Sequence, residues 1–327
     1  MKIKTLVFLA LSVCAVFILS GCAPTYPKGS FKDSIIKVCK REYKLDVKVG
    51  LIGKTAAVYL PLSDLIDFTF AITTSASEKI NDVILTSSRV ALSSDADYDF
   101  FVVIAHDTRI PEIQLVIVKS VLDVKRFLLN DISRGEYAKR MLIDIRLSPQ
   151  AQKERSIKEV FEKMGLDKKW QEQVMNDFFR SEPAALGDIG YWSGRFYVKD
   201  IPLPEFLAEQ IASRVKIEAR EDKKYAEQFT IKTSKGTFVT KGGKRTFVFE
   251  TLSDPKWFKD LETNEISTRV TELVFKVASH VLRGYRFSDF DDVEVIDQLN
   301  GSSVRVVRDD LERFRAKKAK LEDIIRR

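Results

Sequence analysis

Histidine and cysteine are scarce in this chain, with two of the first and three of the second among 327 residues. Neither His106 nor His280 has a Cys, Glu or second His at ligand spacing. No metal centre and no catalytic triad is therefore legible, since both need convergent partners. Both histidines are expected to be structural. Charge of one sign is not in marked excess either: 54 basic residues stand against 47 acidic ones, without the clustering that nucleic-acid binding requires. Long apolar runs are limited to one, Leu6 to Leu19, and it is shorter than the roughly 20 residues that usually span a bilayer. The cysteines exclude a disulfide framework: Cys14 and Cys22 belong to the N-terminal run, which leaves Cys39 alone in the body. Cys39 follows Phe31 and Ile35 at helical steps of four, so it is expected to be a buried small hydrophobe.

What is present begins with Lys2 and Lys4, then "TLVFLALSVCAVFIL", then "SGCAP". Positive charge, an apolar core and small residues at its end form the layout of an export signal. The tetrad Leu19-Ser20-Gly21-Cys22 closely resembles the lipobox of bacterial lipoproteins. That resemblance implies cleavage before Cys22, a diacylglyceryl group on its thiol, and acylation (palmitate or a similar chain) of the new amino group. Two or more acyl chains make a stable anchor. Ala23, rather than Asp, follows the cysteine, and the resemblance then implies delivery to the outer membrane, facing the periplasm, in an organism with two membranes. Without Lys2 and Lys4, 52 basic residues remain against 47 acidic, a net of +5. Residues 22–30 are expected to be the lipidated cysteine and a Pro/Gly tether, "APTYPKGS", whose eight residues reach about 26 to 29 Å at most.

Beyond the tether the expected class is α+β, a tandem repeat of α-ββ-α-ββ-α units, each an antiparallel sheet with helices on one face. The first unit spans residues 31–132. It reads as a helix at "FKDSIIKVCKREY", a hairpin around Gly53-Lys54, and a helix opened by a Ser75/Glu78 capping box. Strands "FFVVIAHD" and "EIQLVIVKS" and the helix "VLDVKRFLL" complete it. The second unit, residues 203–327, repeats the order from "LPEFLAEQIASRVKIEAR". Its strands are punctuated at Lys235-Gly236 and Gly242-Gly243, so this unit is expected to carry an extra strand. A long helix with Ile266, Val270, Val274, Val277 and Val281 on one stripe follows, then two more strands and one final helix on Leu311, Phe314, Leu321 and Ile325. The αββαββ order is similar to that of BON-domain modules. This likeness is one of topology alone and transfers no residue roles.

Between the units, residues 133–202 read as a helical and aromatic connector. Ser148-Pro149 opens one helix, "DKKWQEQVMNDFF" forms a second, and "LGDIGYWSGRFYVKDIPLPEF" follows. Tyr191, Trp192, Phe196 and Tyr197 form either a partner surface or a shared core between the units, since aromatics supply large contact areas to both.

Motifs that suggest chemistry fall short of it. "GLIGKT" ends like a phosphate-binding loop but sits in a hairpin instead of a strand-to-helix turn. "DADYD" alternates Asp95, Asp97 and Asp99 as a calcium loop does, yet Phe100 and His106 occupy its glycine and bidentate-glutamate positions. Neither a catalytic site nor a cofactor follows. The expected function is a lipid-anchored envelope protein that serves as a non-enzymatic binding or assembly scaffold, held to the membrane through Cys22 and to a protein partner of the envelope. An envelope hydrolase with carboxylate catalysis and a surface adhesion component are the alternatives. The basic run "RFRAKKAK" in the final helix reads as a solvated face, with anionic lipid as the other possibility.

Overall fold

The run Phe100–Asp107 is buried at all eight positions, which for a strand means that both faces of its sheet are covered. In the computed structural model, period-two alternation divides that run between two cores. Phe100, Val102 and Ile104 face one; Phe101, Val103 and Ala105 face the other. The structure describes residues 25–67, 69, 71–147, 161, 164–165, 167–171, 186–187, 189–256 and 262–325. The export signal with Cys22, and most of the two connector helices, lie outside the described residues.

The chain is α+β. In the first half, α1 (Phe31–Tyr43) leads to the hairpin β1 (Lys48–Ile52) and β2 (Thr55–Leu62). Helix α2 (Thr74–Leu92) crosses to β3 (Phe100–Asp107) and β4 (Ile113–Ser120). Then come α3 (Val121–Leu128), α4 (Arg134–Lys139) and β5 (Leu142–Leu147). The second half runs α5 (Leu203–Glu221), α6 (Lys223–Ala226), β8 (Phe229–Lys241), β9 (Lys244–Pro255), α7 (Thr263–Gly284), β10 (Asp292–Asp297), β11 (Ser302–Val307), α8 (Arg308–Arg315) and α9 (Leu321–Ile325). A short hairpin, β6 (Gly190–Trp192) and β7 (Arg195–Tyr197), lies between the halves.

The two sheets share one plan. Strands are ordered β1-β2-β3-β4-β5 in the first and β8-β9-β10-β11 in the second. In each, two antiparallel hairpins are joined by a parallel central pair, β2 with β3 and β9 with β10. The parallel pair departs from the purely antiparallel expectation, because the helix between the hairpins returns the chain to the end from which it started. Local bonds repeat as well. Asp99 N donates to Lys54 O (2.9 Å) and Val121 N donates to Asp99 O (2.9 Å), while Asp291 N donates to Arg245 O (2.8 Å) and Arg308 N to Asp291 O (2.9 Å). The acidic loops also pair alike: Lys54 meets Asp97 and Asp99, and Arg245 meets Asp289 and Asp291.

The extra strand belongs to the first sheet, not the second. β8 runs unbroken through Gly236, and only Gly242-Gly243, both at positive φ, make the turn. Gly236 is there because helix α5 lies directly on the strand: a Cβ would sit 2.0 Å from Ala208 O. A glycine inside a strand marks close backbone approach as readily as a turn.

Three other expectations shift. Helix α2 is capped by Thr73, whose Oγ1 accepts from Ala76 N (3.1 Å) and donates to Asp64 O (2.6 Å), and not by Ser75. The final helix is two, α8 and α9, with Lys317 left-handed between them. A continuous helix would carry Lys318 onto the apolar stripe; the break leaves it exposed while Leu311 and Leu321 are buried. The stretch expected to be a free tether docks from Tyr26 onward. Tyr26 packs on the core that holds Phe101, Val103 and Ala105, and its N–H donates to Ser93 O (3.1 Å).

Candidate functional site: the junction between the halves

Helices α1 and α2 cover one face of the first sheet. The other face receives α5, whose Phe206 packs on Phe100 with ring centroids 4.9 Å apart. Helix α5 also covers β8, so it is sandwiched between the sheets, and every residue from Phe206 to Ala212 is buried. A helix covered on all sides must give its polar residues internal partners. Glu209 accepts from Leu186 N (2.8 Å), and Gln210 Nε2 donates to Arg140 O (2.7 Å) and to Tyr285 Oη (2.9 Å). Arg214 forms two bonds of 2.7 Å to the carboxylate of Glu136.

From these residues a buried network extends across the junction. Arg140, at the end of α4, donates to Asp123 of α3 (2.9 Å) and to Glu136 (2.8 Å). Tyr285, just past α7, donates its hydroxyl to the second Asp123 oxygen. Gly284 makes room for this, since a Cβ there would lie 2.8 Å from an Arg140 terminal nitrogen. Burial pushes the Asp123 carboxyl above its ordinary range despite Tyr285 and Arg140. Burial opposes ionisation of Glu136 as well, but the hydrogen bonds from Arg214 and Arg140 outweigh it and bring the group down to about 2. Tyr285 is driven up by burial and then by the Asp123 charge. These acids, bases and hydroxyls bond to one another across four helices. Removing one partner of such a buried pair typically costs about 3–5 kcal/mol.

The aromatic connector divides between core and surface. Tyr191 is 6% exposed. Its ring stacks on Tyr59 at 3.9 Å, its backbone makes two bonds with the Gln114 amide (3.0 and 2.5 Å), and its hydroxyl accepts from Lys48 Nζ (2.9 Å). Phe196 fills the space over Gly50, where a Cβ would come within 2.7 Å of its ring. Trp192 is half-buried and Tyr197 is 37% exposed, so these two form the outward part of the hairpin.

"GLIGKT" is the β1–β2 turn, with Gly53 at positive φ. The connector residue Asp200 closes it, accepting from Lys54 N (2.8 Å) and Thr55 Oγ1 (3.1 Å). A Cβ on Gly53 would collide with that carboxylate at 2.3 Å. In "DADYD", Asp95 accepts from Lys28 N (2.5 Å), and Asp97 and Asp99 pair with Lys54. Among the described residues, no three His, Cys, Asp or Glu side chains are grouped to hold a metal ion. His106 is buried on β3, edge-on to Tyr59 at 5.6 Å, and burial pushes its pKa down; its Nδ1 has no hydrogen-bond partner among the described residues. His280 is exposed on α7. Cys39 is fully buried, and burial raises its thiol to about 11.

One buried group escaped the sequence reading. Lys119 on β4 is 4% exposed. It lines a small cleft with Ile84, Ser87, Phe101, Val103 and Ile117, and its ammonium lies 4.5 Å from the Tyr137 ring centre. Burial depresses it to about 8. In a strand of alternating type, a lysine beside Val118 reads as solvent-facing, and only the helices on that face bury it.

No family model, characterised protein or solved structure matches this chain.

Proposed function

We propose that the chain is a lipid-anchored protein of the cell envelope that acts as a non-enzymatic binding or assembly scaffold, held to a membrane through acylated Cys22. The observation that carries the scaffold reading is the closed junction: Asp123, Glu136, Arg140, Gln210, Arg214 and Tyr285 bond to one another and hold the halves as one body. A catalytic acid or base must instead present an atom to substrate. The lipobox resemblance supplies the address, the outer membrane facing the periplasm in a two-membrane cell. Of the connector aromatics, the outward Trp192 and Tyr197 would meet an envelope partner, with the buried Tyr191 and the partly buried Phe196 packed beneath the hairpin.

Cys22→Ser tests the anchor. The variant is expected to leave the membrane fraction and to accumulate with its signal uncleaved; a processed chain that stays with membranes would overturn that part. For the scaffold, purified protein is expected to turn over none of a panel of envelope substrates. Turnover abolished by a single carboxylate substitution would establish an enzyme instead.

A further inference from the structure

Helix α3 and the residue that caps its end expose Leu122, Leu128 and Leu129 (46, 58 and 80%) beside the exposed Lys125. The fold does not require leucine there. By the shared bond from Asp99 or Asp291 to the first residue of the helix, α3 corresponds to α8. The equivalents of those leucines in α8 are Asp309, Arg315 and Ala316, while the buried Val124 matches the buried Leu311. The inward position is apolar in both, and the outward positions carry large apolar side chains only in α3. Three exposed leucines on one short helix would weaken solubility without a return, so they suggest an apolar contact.

Their place in the fold identifies the contact. The chain enters the first half at Tyr26, bridged to Ser94, and Lys28 N donates to Asp95. This is the end of the sheet from which α3 springs, since Val121 is bonded to Asp99 in the same loop. Asp97, held below its usual range first by Lys54, is lowered further by both Lys28 and Lys125. If Cys22 is acylated, Tyr26 is four residues from the bilayer surface, within about 14 Å even when those residues are fully extended. The three aspartates of the acidic loop are offset by three lysines, Lys54 in ion pairs with Asp97 and Asp99 and Lys28 and Lys125 close by, which reduces the charge that would repel an anionic headgroup.

We propose that α3 is a membrane-contacting element: Leu122, Leu128 and Leu129 enter the interfacial layer of the bilayer that the acyl chains of Cys22 anchor, and so orient the body on the membrane. This rests on the lipid-anchor reading above. The orientation places the Phe100 end of the first sheet against the lipid and its Asp107 end away from it.

The test uses acylated protein in vesicles of phosphatidylethanolamine and phosphatidylglycerol, labelled with an environment-sensitive fluorophore at Leu129→Cys or, as a control, at the exposed Thr108→Cys at the opposite end of β3. Cys39 is buried and does not compete. Nitroxide-bearing lipid is expected to quench the label at 129 and leave the one at 108 bright. Protein that sediments with the vesicles while neither label is quenched, or both equally, overturns the contact and leaves the anchor standing. Protein that stays in the supernatant overturns the anchor. The mature chain from residue 22 with Cys22→Ser, produced without the signal, then decides the contact alone by flotation with the same vesicles. Binding should fall more than about tenfold when the three leucines become serine, given the transfer free energy of exposed leucine. Absence of binding, or binding indifferent to the leucines, overturns the proposal.

Discussion

Lys119 shows how far a single residue can run against its surroundings. Its folded pKa, about 8, lies below the ordinary lysine value of 10.5 because burial disfavours the ammonium. Between pH 8 and 10.5 the unfolded chain therefore binds more protons than the folded one, and stability rises with pH across that window. Below pH 8 the full cost of the buried charge is present. Lys119→Met is expected to raise unfolding free energy at pH 7 by on the order of 1–3 kcal/mol, and this advantage should vanish above pH 10. Urea titrations at the two pH values check it; equal effects at both would mean that the ammonium is not desolvated. The sequence could not reveal this residue, because strand alternation tells which side a residue takes and not whether that side is covered. The same limit applies to Glu209, Gln210 and Arg214, which look like the outer face of a helix and are enclosed by a second sheet.

Among the elements, α5 and β8 are the pair that the fold depends on most closely. Gly236 is where they touch, and the backbone of Ala208 occupies the place of its missing Cβ. Gly236→Ala must push the helix off the strand, and is expected to cost about 1–3 kcal/mol or more, as overpacking does. Gly135→Ala provides the contrast, because nothing lies within 4 Å of that Cβ and the residue is in the exposed part of α4. It should be neutral or mildly stabilising. Thermal unfolding of the two variants separates them, and equal shifts would show that α5 can move away without loss. The helices with strong apolar stripes, α1, α2 and α7, were legible from periodicity, and so was the hairpin at Gly53-Lys54. The reading failed at Gly236 and in the final helix for one reason. A glycine or a misplaced lysine has two local explanations, and only the neighbouring element chooses between them.

For the whole molecule, one core contains residues of both sheets, from Phe100 and Val116 to Phe247 and Val293. The Asp123–Arg140–Tyr285 network reinforces that sharing. The halves are therefore expected to unfold together: tryptophan fluorescence and far-UV circular dichroism should trace a single coincident urea transition. Two separated transitions would show halves that fold independently and a junction too weak to couple them.

The candidate site follows the same division. The sequence by itself determined the α+β class, most of the helices and hairpins, and the aromatic composition of the connector, because each is written in local spacing. Tertiary structure alone decided that Tyr191 lies in a core while Tyr197 faces outward, and that Asp200 closes the turn of "GLIGKT". It also decided that the leucines of α3 share an end of the molecule with the entering chain. The physical reason is that periodicity reports which face a side chain is on, whereas its function depends on what another part of the chain, distant in sequence, brings to that face.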